Sequence, residues 1–497
     1  DDFVNRIRVI WNKSIAFQKF QRYVHDEIDL GEYSEYLESH IKAGAGGFFA
    51  LYGSDAEIFD FRPGRYFTEA EMDKSEWQRV EDIYKMISRN KNSSFALPGQ
   101  LLSVKPSKIL NLESAQHPIV VKKQEKYNIV RWALTGRDDI GSNSACYGIF
   151  SKLKIIGEDG SLRRKKELYE KNNDMEFWKI LCMLWGSDFR THTEKNKYTG
   201  FKKELNRISS VLESIIGSPK PAITADDNLK NFHPVSAGRT VNIDTKSVNL
   251  TLNRRRGITI DRLIFKKISA EPLIKILPHG YYEKISFGAD FYTGHTIIEA
   301  PFMPKITDLN PTEVGGLKKP DFSAIEGKVG MGWGSVKKTV TAYDKESRVD
   351  LKLDFSFDKY GATSFRTGIM TFNPEAFDLE TLFFRCHNGG MNPETFHLKN
   401  VDLIDVRPVS LLVTAQNILG NTTGCLEIGD SKKSVLLKNN PADLAALPMI
   451  HYARLGGTYF LRVLYSAGEI DETSLLRDKA ARPAQFAFNL SIIAKKA

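Results

Sequence analysis

Leu51-Tyr52-Gly53-Ser54-Asp55-Ala56-Glu57-Ile58-Phe59 is the stretch from which the fold is read. It is entered from Gly44-Ala45-Gly46-Gly47 through Phe48-Phe49-Ala50, and an apolar run entered from glycines reads as a buried strand. The run ends in a polar loop that holds Asp55-Ala56-Glu57. Residues 70–89 then take helical spacing, with Glu and Lys on one face and Trp77, Val80, Ile83, Tyr84 and Ile87 on the other. Strand, loop and helix in that order fit an α/β unit. Upstream, Ile10, Ile15, Phe17, Phe20 and Val24 recur near helical spacing, and Glu27, Glu32, Glu35 and Glu38 lie in a polar, helix-like stretch.

The carboxyl-terminal edge of α/β sheets and barrels is where ligands bind. Residues two apart in extended backbone point to the same side, so Asp55 and Glu57 are expected to face one cleft. Neighbouring like charges raise the pKa of one carboxyl, which can then hold a proton near neutral pH. A proton donor is what glycosidic cleavage needs. Arg62, in Phe61-Arg62-Pro63-Gly64-Arg65-Tyr66, is placed to pair with Glu57 and keep it ionised. An Asp-x-Glu after a strand also serves as a helix cap or a surface pair.

Further along, residues 111–220 look mainly helical, over 145–155, Leu162–Tyr169, Asp174–Leu184 and Thr199–Ile216. Two segments there stand out, and the first, with Trp beside Arg and Asp, suits a carbohydrate site. Arg131-Trp132-Ala133-Leu134-Thr135-Gly136-Arg137-Asp138-Asp139 is a polar, aromatic connection that offers Trp132 and Asp138, and equally suits a salt-bridge cluster at a helix entry. Leu184-Trp185-Gly186-Ser187-Asp188-Phe189-Arg190-Thr191-His192 offers Trp185, Asp188 and His192, the last two on one face if the stretch is helical. A buried Trp beside a helix-end Asp–Arg pair explains it as well.

At Gly217-Ser218-Pro219-Lys220-Pro221 the character changes to linker. Beyond it come short β-type runs: Ser247–Leu252, Leu263–Phe265, Thr296–Ile298, Val349–Phe357, Thr363–Phe372, Leu382–Arg385, Leu411–Thr414, Val435–Leu437, Tyr459–Tyr465 and Gln485–Ile493. Many short strands between turn residues indicate an all-β sandwich. Asn253–Gly257 reads as a hairpin turn. His279, Asp290 and His295 raise a metal site, although lone loop histidines are usually packing or hydrogen-bonding groups, and none is assigned.

The bulk numbers fit this layout. At roughly 100–200 residues per domain, 497 residues hold two to four. The 70 Lys and Arg against 61 Asp and Glu give a net charge of +9, but the basic runs are scattered, which argues against a nucleic-acid face. No segment approaches the ~18 uncharged apolar residues of a membrane helix, and no signal peptide is visible. Cys146, Cys182, Cys386 and Cys425 form no Cys-x-x-Cys pair and read as reduced, buried thiols of a cytoplasmic protein. No cofactor is expected.

The Leu51–Phe59 string resembles the fourth sequence motif of glycoside hydrolase family 57, where an apolar strand leads into Asp-x-Glu, an apolar residue and Phe. The resemblance implies that Asp55 is the general acid/base and Glu57 a supporting or substrate-binding carboxylate. After Phe59 the chain departs from the family: Asp60-Phe61-Arg62 stands where Gly and a polar aromatic pair are usual. Leu184–His192 resembles the fifth motif, in a helical subdomain whose Trp and Asp line the sugar cleft. The β-rich part is similar to the sandwich modules of family 57 glucanotransferases and amylases.

The expected architecture is therefore α/β plus all-β. Residues 1–110 form the C-terminal part of an incomplete (β/α) barrel, 111–225 a helical subdomain and 226–497 a large β-sandwich. The resemblance implies a retaining glycoside hydrolase or transglycosylase acting on an α-linked oligo- or polysaccharide. Such a mechanism needs a second carboxylate about 5–5.5 Å from the first. The family's nucleophile, a Glu on an earlier strand, has no counterpart before Asp55. With a chain that starts Asp1-Asp2-Phe3, this points to a second polypeptide or an upstream segment that completes the barrel. The alternatives are a non-catalytic carbohydrate-binding or assembly subunit and a metal-dependent deacetylase or mannosidase on a related barrel. The last needs a His/Asp cluster that the Asp55 region lacks.

Overall fold

In the computed structural model, the described residues are 8–10, 14–44, 48–53, 59–60, 73–105, 131–134, 136–190, 193–217, 232–235, 238–278, 292–299, 303–361, 363–387, 392–399, 420–470 and 482–497. The chain divides into two compact units, Asp1–Leu110 and Asn111–Ala497.

The first unit is helical among its described residues: α1 (Ser14–Val24), α2 (Leu30–Gly44) and α3 (Glu76–Arg89). Phe17, Phe20 and Val24 of α1 recur three and four apart and bury one stripe against Tyr33, Phe59, Val80 and Ile83. The predicted strand Phe48–Tyr52 is absent. Residues 48–53 carry no strand, and Phe48 and Phe49 are exposed. The unit has no other strand among its described residues with which this run could pair, so no barrel is closed there. The predicted helix at 70–89 starts only at Glu76, where Ser75 and Gln78 form a capping box. Its buried stripe is Val80 and Ile83, whereas Trp77 and Tyr84, expected on that face, are exposed.

Among its described residues the second unit begins with five α-helices: α4 (Arg131–Leu134), α5 (Asp139–Glu158), α6 (Gly160–Asn173), α7 (Phe177–Leu184) and α8 (Lys195–Ile216). The first lies inside the stretch expected to be a mere connection. In α8, Phe201, Leu205, Ile208, Leu212 and Ile215 alternate spacings of four and three, which sets one apolar stripe against Cys146, Ile149, Leu153 and Ile156 of α5.

Nineteen described strands follow, and every pairing is antiparallel. A ten-stranded sheet has the order β1 (His233–Pro234), β8 (Gly315–Lys318), β9 (Phe322–Met331), β10 (Gly334–Tyr343), β11 (Arg348–Tyr360), β19 (Arg482–Lys496), β16 (Lys433–Asn439), β15 (Cys425–Gly429), β13 (Phe383–Cys386), β14 (Glu394–His397). A five-stranded sheet has the order β17 (Leu447–Leu455), β18 (Thr458–Gly468), β12 (Ser364–Thr371), β6 (Ile297–Glu299), β7 (Ile306–Thr307). A four-stranded sheet runs β2 (Thr240–Asp244), β3 (Val248–Asn253), β4 (Thr259–Phe265), β5 (Ile274–Lys275). One core lies between them, with Leu351 and Val340 from the first sheet, Val463 and Tyr465 from the second and Leu250 and Leu263 from the third.

Leu134 and Ile140 belong to this core as well, Glu469 N–H donates to Leu134 O (3.2 Å), and Ala445 N–H donates to Ser144 Oγ (2.9 Å). The start of α5 is thereby docked on the β layers. The expected hairpin turn is present between β3 and β4: Gly257 there has φ +63°, and a Cβ would lie 1.8 Å from Asp308 O, so only glycine fits. The predicted strand Leu411–Thr414 lies outside the described residues. Among the described residues, no helix is long and apolar enough to cross a membrane.

Candidate functional site

Asp55, Glu57 and Arg62 lie outside the described residues, but both ends of the segment that carries Asp55 and Glu57 are placed. Tyr52 packs edge-on against Phe17 (5.5 Å between ring centres) and Phe20 (5.7 Å), and it meets Phe59 at 6.0 Å. Phe59 is fully buried. The two feet of the segment are thus pinned to each other in one aromatic cluster.

Next to Phe59, Asp60 has φ +51°, a left-handed conformation that Asp tolerates better than most residues. Its carboxylate accepts from the N–H groups of Glu76 (3.0 Å) and Trp77 (3.1 Å), the first two residues of α3. In return, Glu76 Oε2 accepts from Asp60 N–H (2.7 Å), and Glu76 Oε1 lies 2.6 Å from His25 Nδ1. An anionic group at a helix N-terminus satisfies orphan donors and suits the helix dipole. The departure from the motif after Phe59 thus has a local reason: Asp60 caps α3 and ties the motif to it. Sequence reasoning missed His25, Asp60 and Glu76. The Ser75-x-x-Gln78 box was the available signal for where the helix starts.

In the second unit, the two candidate segments come together at the start of α8. Asp138 flanks the N-terminus of α5; its Oδ2 accepts from Tyr198 Oη (2.8 Å) and lies 3.6 Å from Lys202 Nζ. Burial and Asp138 raise the Tyr198 phenol well above its ordinary pKa. Arg137 donates to Thr193 O (3.3 Å), and Arg190 donates to Asn143 Oδ1 (2.9 Å). These two bonds stitch the 131–139 segment and α5 to the 184–193 segment. Asp188 is largely exposed and lies 3.3 Å from Lys197 Nζ, one residue from Tyr198. Trp185 is half-buried and meets Tyr147 edge-on at 5.0 Å.

Asp188 and His192 would share one face only if the stretch were helical. The helix there is only a 3-10 turn, Ser187–Phe189, and Arg190 is extended, so the four-residue spacing does not apply. His192 lies outside the described residues, and Trp132 falls in α4. Arg137, Asn143, Arg190, Tyr198 and Lys202 were not singled out from sequence, because their partners lie far along the chain.

Among the described residues, no group of three His, Cys, Asp or Glu side chains could hold a metal ion. His279 and Asp290 lie outside them, and His295 is fully buried. The four cysteines are free thiols, but only Cys146 and Cys386 are buried; Cys182 is exposed and Cys425 half-buried, contrary to expectation.

No family model matches the chain, and no curated protein matches it. Solved structures that align with it include a galactose mutarotase-like protein from Clostridium acetobutylicum (6% identity, 54% of this chain and 99% of that one, TM-score 0.33). A 4-alpha-glucanotransferase from Thermococcus litoralis aligns over 100% of this chain and 74% of its own, at 11% identity and TM-score 0.25. An alpha-mannosidase from Enterococcus faecalis aligns over 54% and 30%, at 9% identity and TM-score 0.31. At these scores none of them fixes the fold or the activity of this chain.

Proposed function

We propose that this chain carries the acid/base part of a retaining glycoside hydrolase or transglycosylase acting on α-linked glycans, of the family 57 type. Asp55 is the proton donor to the leaving sugar oxygen and then the base toward the acceptor, with Glu57 and Arg62 setting its charge. Trp132, Asp138, Trp185, Asp188 and His192 are the proposed sugar contacts of the helical part. The observation that carries the reading is the Leu51–Phe59 motif, in which two carboxyls sit in a short segment. The pinning of Tyr52 to Phe59 supports it, since a general acid must be held in place to act. The nucleophile is supplied by a second polypeptide or an upstream segment.

The test is to purify the protein from its source, identify what accompanies it by mass spectrometry, and assay starch and maltooligosaccharides. Cleavage or transfer by the native preparation, with no turnover by the 497-residue chain alone, is expected. Sugar binding without turnover in either preparation would instead make the chain a non-catalytic binding or assembly subunit. Robust hydrolysis by the isolated chain would contradict the shared site.

A further inference from the structure

Three ionisable side chains, all wholly buried, meet inside the β layers. Lys338 Nζ, from β10, lies 2.7 Å from Asp308 Oδ2, just past β7, and donates to Gly294 O at 3.2 Å. Asp308 Oδ1 accepts from Thr296 N–H at 2.9 Å and lies 4.0 Å from His295 Nδ1. Both imidazole nitrogens are buried, and no hydrogen bond engages either among the described residues. Lys338 belongs to the ten-stranded sheet and Asp308 borders the five-stranded one, so the pair spans the two layers. The Gly257 turn lies close against the Asp308 backbone carbonyl, where a Cβ on Gly257 would come within 1.8 Å of the oxygen.

A dry ion pair loses the hydration of both partners. Burial lowers the Lys338 pKa, and burial and Lys338 hold His295 well below its usual value. Low dielectric favours the neutral amine of Lys338, the form that can act as a nucleophile.

We propose that Lys338 and Asp308 condense into an intramolecular isopeptide bond that staples the two sheets, with His295 as the proton carrier. The ammonium gives one proton to Asp308 Oδ2, and the freed nitrogen lone pair attacks Cγ. Negative charge develops on Oδ1, which the Thr296 N–H holds. His295 takes the surplus proton from the nitrogen and returns it to Oδ2. The Cγ–Oδ2 bond breaks as the C–N double-bond character forms, and Oδ2 departs as water. One ammonium and one carboxylate yield one amide and one water, so no oxidant or activated co-reactant is needed. His295 ends as it began.

Intact-mass measurement on the denatured full chain tests this directly. The chain is expected to be lighter than its sequence by one water, and Lys338→Ala and Asp308→Ala are expected to restore the sequence mass. Trypsin should release residues 306–318 joined to 338–345 as one branched peptide, with no cleavage after Lys338. In His295→Ala, which keeps both reacting groups, the water loss should be slowed or absent. A wild-type mass equal to the sequence overturns the proposal, and so does a water loss that maps to any other residue. Both readings come from the wild-type chain, so poor folding of a variant leaves the test intact.

Discussion

Asp60 shows how a residue can look out of place in a motif and still be needed there. Its carboxylate accepts two hydrogen bonds from the first turn of α3, and its own N–H donates to Glu76. Losing a side-chain N-cap costs about 0.5–2 kcal/mol, so Asp60→Ala should lower the stability of the first unit by about that amount in urea denaturation. Asp60→Asn, which keeps a local acceptor and tolerates the left-handed backbone, should cost less. None of this was legible in the sequence, where Asp60 read only as a departure. Its role depends on a positive φ and a partner sixteen residues on. Asp55 and Glu57, by contrast, were singled out by residue type, spacing and the resemblance together, and they lie outside the described residues.

At the scale of elements, strands with clean alternation could be read directly. β11 alternates buried and open positions from Arg348 to Asp358, and β3, β16 and β18 overlap their predicted runs. β9 and β10 were missed for a physical reason. Inward positions of β10 are Val336, Lys338, Val340 and Ala342, and a lysine in that row breaks the apolar-polar pattern. Gly327 and Gly330 blur β9 in the same way. β19 sits between β11 and β16, near the middle of the ten-stranded sheet. Ile492 is fully buried, so Ile492→Ala should cost about 2–5 kcal/mol. The neighbouring, half-exposed Ser491→Ala should change stability by less than about 0.5 kcal/mol. Thermal or urea unfolding of both variants checks the assignment of the two faces. Equal costs would mean that the register of β19 is wrong.

For the whole molecule, the density of short strands announced the β layers, but their order was out of reach. The pairing of β19 with β11 links residues more than a hundred positions apart, and nothing local encodes it. The same packing leaves histidines in dry places. Burial, with Arg462 and Arg366 near, pushes His451 well below its usual pKa, as burial and Lys338 do for His295. Both stay neutral in the folded state while the unfolded chain takes up protons below about pH 6.5. Stability is therefore constant above that point and falls as pH drops toward the folded-state pKa values. Between pH 6.5 and 5 the loss should reach up to about 2 kcal/mol per histidine, and replacing either histidine by Gln should flatten the urea-denaturation profile over that range.

The central claim is that Asp55 is the proton donor of a glycan-cleaving site, and one comparison tests it most directly. Turnover of a maltooligosaccharide is measured for the native preparation with Asp55 intact and with Asp55→Asn, alongside the affinity for the same sugar. Loss of a positioned general acid typically costs 10²–10⁴-fold in rate, so kcat should fall by roughly that factor while sugar affinity stays within a few-fold. Turnover that survives Asp55→Asn unchanged would contradict the account.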